Sequence, residues 1–336
     1  MSASAYSCYI MWIVVLCSVE ALEGEDLDRL HFCPEDDCCA PFCRCPSFQP
    51  PGELPVESTP QFVLLTVNGP VLNTRRYQQL FVQNFTNPNG APIHGTFFVP
   101  LDTPETENDM VCDIYKHGHE IAVYLDAQVN TKTVNRKGDN MTFRSEFQQQ
   151  QNLFEYHSGI LHESIAGIRI SDAHVDRRTI YDMAHDLFEY DSSYLSTWYD
   201  RLNASKPLWP FTMDYTPGGA TGSHPGLWQV PIATLLLNNS RESMTPVQIY
   251  HTLTTGFLQH YKHNRAPFVM SIDSQWLNDS DELSLVLALF LTTLEKLNNV
   301  WCVSIHQMLQ WMQSPISTSE LMQYQPWEED AKQSCI

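Results

Sequence analysis

The sequence predicts an α/β fold in which parallel strands alternate with helices in one large domain. Short runs rich in β-branched and aromatic residues recur over residues 60–315, and helical patterns separate several of them. Successive strand–helix units are spaced about 25 residues apart along the chain, and this spacing favours an α/β barrel. With 336 residues and 43% hydrophobic content, the chain has enough apolar side chains to bury a full core.

The predicted elements follow one another without an internal repeat or a long linker. A helix is expected to begin within 77–81, a second spans 107–116, and a third spans 281–297 with apolar residues on one face. The third helix is expected to pack between the last two strands. The predicted strands, each a short β-rich run, are 62–66, 95–99, 120–124, 165–170, 187–191, 227–231, 268–273 and 300–304.

The charge balance restricts the classes of partner. The chain has 39 acidic residues against 19 Lys and Arg, which gives a net charge of −20. Nucleic acids and anionic membrane surfaces bind clustered Lys and Arg. Neither is therefore expected as a partner, whereas a neutral polymer remains compatible.

Several features of the sequence indicate a secreted, extracellular protein. The apolar run 9–19 has the length of a signal-peptide core and is too short to span a bilayer, and Val19-Glu20-Ala21 fits a cleavage site. Residues 1–21 are therefore predicted to be a signal peptide. Five Asn-x-Ser/Thr sequons are predicted glycosylation sites, at Asn84, Asn140, Asn203, Asn238 and Asn278.

Removing the signal peptide leaves an even number of cysteines, which fits disulfide formation in an oxidising compartment. The cluster within 33–45 could alternatively hold zinc, but no nearby histidine completes a zinc-finger spacing. A disulfide-stapled lead over 22–59 is favoured, with its connectivity open and with Cys112 and Cys302 as partners that would tie the lead or loops to the barrel. The eight disulfide candidates are Cys33, Cys38, Cys39, Cys43, Cys45, Cys112, Cys302 and Cys335.

Three segments carry landmarks of a known enzyme family. Residues 61–70 form a strand that ends Thr-Val-Asn-Gly-Pro, residues 118–128 read Gly-His-Glu-Ile-Ala-Val-Tyr-Leu-Asp-Ala-Gln, and residues 264–273 form a strand that ends in aspartate. They resemble motifs of the polysaccharide deacetylases, in particular the secreted insect chitin deacetylases. That family ends its first strand Thr-Phe-Asp-Asp-Ala, places His-Ser-x-x-His after Gly-x-Glu-Ile-Ala, and ends the third strand with a catalytic histidine.

Further segments in the family order make the resemblance specific. It implies the deformed (β/α) barrel of the family over 60–315, with a groove at the C-terminal ends of the strands. It also fits the short Cys-rich lead, and it leaves 316–336 as an acidic tail held, if at all, through Cys335. The further segments are 87–90, 95–99, 167–169, 190–193, 208–215, 225–231 and 310–312.

The residues on which the family's chemistry depends are replaced. The resemblance implies a divalent metal, held by one aspartate and two histidines, which lowers the pKa of the water that attacks the acetamide. These positions hold Gly69, Tyr124 and Gln128, which are absent or poor zinc ligands. Asn68 stands at the position of the base and Asp273 at that of the acid. We therefore expect no bound zinc or other cofactor and little deacetylation.

Arg169 is the one retained residue of the catalytic motifs. In the family this arginine orients the catalytic aspartate, but here a structural role is favoured, such as pairing with Asp172 or Asp273, because a buried arginine needs a partner. An alternative metal site could be assembled from Asp126, Asp172, His174 and Asp273. It is disfavoured because these residues lie in loops without a recognised ligand spacing.

The favoured hypothesis is an inactive, chitin deacetylase-like pseudoenzyme that binds chitin, another N-acetylglucosamine polymer or an extracellular matrix protein. Trp209 and Trp228 are possible groove residues, although such tryptophans more often fill cores. One alternative is a structural barrel that binds proteins, suggested by the bulky Tyr124. The other is an active metal-dependent hydrolase that removes N-acetyl groups from chitin with unusual ligands.

Overall fold

The structure is a computed structural model. It describes residues 33, 38–72, 77–82, 85–100, 103, 105–125, 148, 151–171, 181–182, 184–193, 207–215, 223–236, 245–324 and 335. The predicted signal peptide lies outside these residues. So do four of the five sequons and the site candidates Gln128, Asp126, Asp172 and His174.

Ten described strands form one curved sheet, and the predicted deformed α/β barrel is confirmed. Its order is β6-β7-β5-β4-β3-β2-β1-β9-β8, and β10 pairs with the first half of β1. All described pairings are parallel except that of β6 with β7. The strands are β1 Gln61–Asn68, β2 Thr96–Val99, β3 Glu120–Leu125, β4 Gly167–Ile170, β5 Tyr190–Asp191, β6 Phe211–Met213, β7 His224–Gln229, β8 Thr234–Leu236, β9 Phe268–Asp273 and β10 Val300–Cys302.

Helices pack around and below this sheet. Several start with a side-chain cap, as α2 does, where Thr245 and Gln248 form a capping box. None of the helices in the described part of the chain is long and apolar enough to cross a membrane. The helices are α1 Asn108–Lys116, α2 Pro246–His263, α3 Ser274–Asp279, α4 Asp281–Leu294, α5 Ile305–Gln313 and α6 Thr318–Leu321, with short 3₁₀ turns at Pro51–Glu53 and His162–Ser164 and a π turn at Gln78–Val82.

The alternation of side chains along β1 creates the two cores of the molecule. Phe62 and Leu64 point into the barrel, where they join Trp301 and residues of α5 in an inner cluster. Val63 and Leu65 point outward and pack beneath the helices. Because both faces are covered, β1 is apolar over most of its length, which is typical of buried parallel strands.

Most predicted strands lie where expected, with shifted ends. Strands β6 and β8 and helix α2 were not predicted. β6 and β8 have only three residues each, too few to show a period of two, and the antiparallel turn of β6 departs from the expected all-parallel pattern. The predicted helix 281–297 is α4, which ends at Leu294.

Three disulfides stabilise the chain. Cys33 is bonded to Cys45 and Cys38 to Cys43 within the lead, so the sulfurs that a zinc site would need are already in disulfides. Cys112 in α1 is bonded to Cys335, which confirms that Cys335 holds the tail.

Two of the candidate disulfide residues were predicted wrongly. Cys39 and Cys302 carry thiols, the first exposed and the second buried. Cys302 lies within β10 beside Val63 and packs in the apolar outer core. Burial raises the pKa of its thiol to about 12.

Candidate active site at the barrel mouth

The parallel strands bring the replaced family positions together at their C-terminal ends. β1 and β9 run side by side so that Asn68 is paired with Asp273. β3 and β4 pair in the same way, which places Tyr124 beside Arg169. These four residues lie at or next to the C-terminal ends of their strands, which we call the mouth. Most of the loops that follow β3, β4 and β5 along the chain lie outside the described residues.

Arg169 is the centre of the hydrogen-bond network at the mouth. Its Nε donates to the carbonyl of Ser192 at 2.6 Å and its Nη2 to Ser192 Oγ at 2.7 Å. Nη1 donates to Thr66 Oγ1 and to Asn68 Oδ1, each at 2.7 Å. The guanidinium also lies over the ring of Phe98, 4.0 Å from its centroid. Burial lowers the pKa of Arg169 to about 10, so the side chain remains a cation at neutral pH.

Asn68 is held in one orientation by two neighbours. Arginine can only donate, so the carboxamide oxygen of Asn68 must face Arg169. The carboxamide nitrogen then donates to Ser271 Oγ at 2.6 Å. An amide fixed in this way has no lone pair of useful basicity, and it cannot remove a proton from water.

Gly69 leaves no room for a side chain. Its φ of 112° lies in the region that favours glycine, and a Cβ built on it would approach Ser274 Oγ to 2.6 Å. Ser274 is buried at the first turn of α3. The space in which an aspartate would start is therefore occupied by a hydroxyl group.

Asp273 caps the N-terminus of α3, and it is not among the residues that the described hydrogen bonds of Arg169 reach. Its Oδ1 accepts a hydrogen bond from the backbone N–H of Trp276 at 2.8 Å, so the carboxylate is the N-cap of the helix. The expected ion pair between Arg169 and Asp273 is thus replaced by the neutral oxygens of Thr66, Asn68 and Ser192. Tyr124 lies half-buried beside Arg169.

A second polar network lies at the opposite, N-terminal end of the strands, which we call the floor. The carboxylate of Glu120 accepts hydrogen bonds from Thr96 Oγ1 at 2.8 Å, from the Tyr190 hydroxyl at 2.6 Å and from the His306 N–H at 3.0 Å. Burial raises the pKa of Glu120, and these donors oppose that rise. Sequence reasoning noted Glu120 only as part of a family motif.

The floor network also fixes α5. Thr96 Oγ1 accepts from the Ile305 N–H at 2.9 Å, and Glu120 accepts from the next N–H of the same helix. A carboxylate at a helix N-terminus satisfies backbone donors that have no partner within the helix. Glu120 therefore attaches α5, whose apolar residues close the barrel from below, to β2 and β3.

A cavity of about 580 Å³ opens on the floor side, away from the mouth. Glu189, His306 and Gln151 are among its lining residues, and Glu189 Oε2 pairs with His306 Nδ1 at 2.8 Å. None of the described degenerate positions, Asn68, Gly69, Tyr124 and Asp273, lines it. The cavity is therefore separate from the mouth.

Comparisons with known proteins agree with the architecture and the motifs. The chain is 27% identical to chitin deacetylase 8 of Bombyx mori over 338 residues, which covers 93% of the chain and 86% of the relative. It is 26% identical to chitin deacetylase 1 of Bombyx mori over 342 residues, which covers 90% of the chain but only 61% of that longer relative. The chain is therefore similar to chitin deacetylases over most of its length. No protein-family profile matches it.

Solved structures share the fold. A protein from Mycobacterium smegmatis assigned as a polysaccharide deacetylase superimposes with a TM-score of 0.55 at 16% identity, covering 79% of this chain and 94% of its own. The allantoinase PuuE superimposes with a TM-score of 0.50 at 15% identity, covering 76% of this chain and 92% of its own. Both show the barrel alone.

The metal of the polysaccharide deacetylases does not fit the described residues of the mouth. Gly69 offers no donor atom and its side-chain space is filled, while Tyr124 offers a phenol, which is a weaker zinc ligand than imidazole. Among the described residues, the three sulfurs of the lead form the one cluster of potential metal ligands. No step of a reaction can therefore be derived through a metal held by these residues.

The two tryptophans suggested for the groove are buried. Trp209 is 0% exposed and Trp228 3% exposed, and both belong to the inner core cluster. Trp209 stacks on Trp311 at 6.2 Å between ring centroids. Their rings stabilise the barrel and offer no open stacking surface for a sugar in this structure.

Asn278 is the one sequon that falls on described residues. It lies half-exposed in the last turn of α3, and Ser280 of the same sequon caps α4. The Ser280 hydroxyl accepts a hydrogen bond from the Leu283 N–H at 3.1 Å. Glycosylation at Asn278 stays a prediction.

Proposed function

We propose that the chain is a secreted chitin deacetylase-like protein that binds chitin, another N-acetylglucosamine polymer or a matrix partner without deacetylating it. The observation that carries this proposal is the fixed carboxamide of Asn68. It accepts from Arg169 and donates to Ser271, so the position of the catalytic base is a structural amide.

The loss of chemistry is expected to be large. A general base or acid contributes typically ~10²–10⁴-fold to a rate, and a metal contributes several kcal/mol of charge stabilisation. Asn68 cannot serve as the base, Gly69 cannot ligate, and Asp273 is the cap of α3. These losses are not additive, but together they leave little acceleration.

Binding is supported by what the mouth retains. The Arg169 network keeps the C-terminal ends of β1, β4 and β5 in register around one buried cation. A polymer without charge fits a chain of net charge −20 better than an anionic one. Secretion is supported by the disulfides, the predicted signal peptide and the predicted sequons.

The proposal is tested by calorimetric titration of the secreted, glycosylated chain with N-acetylglucosamine oligomers in the presence of zinc. We expect saturable heat without acetate release, unchanged after removal of metal by EDTA, and no stoichiometric zinc in the purified protein. A chitin deacetylase active under the same conditions is the positive control for acetate release. Sustained heat with acetate release, abolished by EDTA, would instead establish an active metal-dependent hydrolase.

A protein-binding barrel is the second candidate, because Trp209 and Trp228 are buried and leave no described aromatic platform. The same titration separates the two candidates. A well-folded chain that gives no heat with any oligomer would refute the sugar-binding proposal and favour a protein partner.

A further inference from the structure

A segment of the Cys-rich lead runs along the edge of the barrel sheet. Residues 44–49, which we call the strap, follow the Cys38–Cys43 disulfide and contain Cys45, the partner of Cys33. The N–H of Arg44 donates to Thr212 Oγ1 at 2.9 Å, and the Thr212 N–H donates to the Arg44 carbonyl at 2.9 Å. The strap is therefore hydrogen-bonded to β6.

Two further contacts hold the strap along its length. The Trp209 N–H donates to the Ser47 carbonyl at 3.1 Å. The side chain of Asn264 donates to the Phe48 carbonyl at 2.9 Å and to the Pro207 carbonyl at 2.6 Å. Asn264, which is 3% exposed and precedes β9, thus joins the strap to the segments that lead into β6 and β9.

The strap lies where the sheet is incomplete. β6 is the last strand at one edge of the sheet, and β8 is the last at the other. β8 pairs only with Met270–Ile272 of β9, so no described strand continues the sheet from Phe268 towards β6. An unprotected edge of this kind exposes backbone groups and apolar side chains.

The side chains of the strap cover the aromatic residues at this edge. The guanidinium of Arg44 lies 6.0 Å from the centre of the Trp209 ring, and its Nη2 donates to the Gln49 carbonyl at 2.8 Å. Phe48 packs against the outer core. Trp209 is fully buried, and its ring stacks on that of Trp311.

We infer that the strap is a structural part of the barrel that closes the seam between β6 and the start of β9. The folded unit then begins at Arg44 and not at Pro60. The two disulfides cross-link the residues just before the strap and Cys45 within it, and hydrogen bonds attach the strap to the barrel, so the lead is part of the barrel and not an independent module. This inference does not depend on whether the mouth binds sugar.

Hydrogen exchange of the secreted full-length chain tests the inference. The amides of Arg44, Trp209 and Thr212 are donors in the contacts between the strap and β6, and we expect each to exchange at least about 100-fold more slowly than an unstructured peptide. Exchange of these amides at the unstructured rate would overturn the inference.

Two substitutions separate the strap from global stability. Asn264→Ala removes the side-chain amide that donates to the carbonyls of Phe48 and Pro207. We expect exchange of the strap amides to become about tenfold faster or more, with a smaller change in β1. Tyr250→Phe is the matched control. It removes the hydrogen bond of 3.1 Å between the Tyr250 hydroxyl on α2 and Thr293 Oγ1 on α4, and it touches no strap residue. Equal acceleration in the strap and in β1 for Asn264→Ala, or equal acceleration of the strap by the control, would show that the strap does not close the seam.

Discussion

The barrel contains a buried cation at its mouth and a buried anion at its floor, and neighbouring neutral groups solvate both. Arg169 donates to the oxygens of Thr66, Asn68 and Ser192, whereas Glu120 accepts from Thr96, Tyr190 and the N–H of His306. At the mouth, Asn68 and Gly69 stand where the chitin deacetylase motifs have aspartates. The floor has kept a charge whose partners are backbone and hydroxyl groups of the scaffold.

The mouth and the floor constrain the same fold in two different ways. The cation at the mouth no longer has a carboxylate at the Asn68 position, yet its remaining partners still fix the ends of three strands. The anion at the floor fixes the N-terminus of α5, without which the inner core would be open. A barrel can therefore lose its chemistry while both buried charges continue to order its strands.

Removing the cation is expected to have the largest effect. Arg169→Met leaves the buried oxygens of Thr66, Asn68 and Ser192 without their common donor, and we expect the free energy of unfolding to fall by roughly 3–5 kcal/mol. Urea unfolding of the secreted chain measures this change. Arg169→Lys, which retains the charge but not the planar fork, should lose less. A loss below about 1 kcal/mol for the methionine variant would contradict the structural role of Arg169.

Removing the anion is expected to cost somewhat less. Glu120→Gln places an NH₂ group against donors, and this mismatched hydrogen bonding predicts a fall of about 2–3 kcal/mol in the free energy of unfolding. Glu189→Gln is the control, because this carboxylate is 26% exposed and pairs with the partly exposed His306. The control should change stability by less than about 1 kcal/mol. Equal losses of unfolding free energy in the two variants would contradict a special structural role for Glu120 at the floor.

The two buried charges should differ in their response to pH. Burial raises the pKa of Glu120 above its ordinary value of 4.5, so its contribution is fully present below that value and declines as pH rises towards the folded-state pKa. The destabilisation caused by Glu120→Gln should therefore be largest in acid and shrink as pH rises, by at most about 1.4 kcal/mol per pH unit. Arg169→Met should show no such slope below the Arg169 pKa of about 10.

Other buried groups affect both chains of that comparison equally. Burial lowers the pKa of His119 and brings that of His260 to about 4. The contribution of these neutral rings to the stability of the folded chain therefore falls as pH drops below the ordinary histidine pKa of 6.5. Burial raises the pKa of Asp191, which opposes this trend. Measuring each variant against the unaltered chain at the same pH cancels these contributions. A pH-independent effect of Glu120→Gln would show that Glu120 has the same charge in the folded and unfolded states across the range.

Restoring an aspartate at the mouth is expected to have the smallest effect. Asn68→Asp creates an ion pair with Arg169 but buries a second charge and loses the donor to Ser271, so stability should change by no more than about 1 kcal/mol. Acetate release should stay at background because Gly69 and Tyr124 are unchanged. Deacetylation by this single variant would show that the metal ligands were misassigned.

The sequence predicted the parts of the fold that local patterns determine. The apolar runs of β1 and β9 and the periodicity of α4 identified these elements to within a few residues. The parallel pairing of β1 with β9 places Asn68 beside Asp273, which the sequence did not predict. β6 was missed because its three residues are stabilised by contacts with distant segments, among them Arg44.

The partners of buried polar groups were harder to predict. Asp172 or Asp273 was expected beside Arg169. Asp172 lies outside the described residues, and the described hydrogen bonds of Arg169 go to neutral oxygens of β1 and of Ser192, a set that no local pattern specifies. Cys302 was expected to form a disulfide on the basis of an even cysteine count, although its place within β10 isolates it from the lead. The sequence gives the number of cysteines, whereas the fold determines which of their side chains are close enough to form a disulfide.

The contact between Gly69 and Ser274 makes the lost site difficult to regain by evolution. An aspartate at position 69 alone would strain the backbone and collide with the Ser274 hydroxyl, and so it would be selected against before it could bind anything. A change at Ser274 alone would bring no benefit. An aspartate at position 69 would therefore need an accompanying adjustment at Ser274.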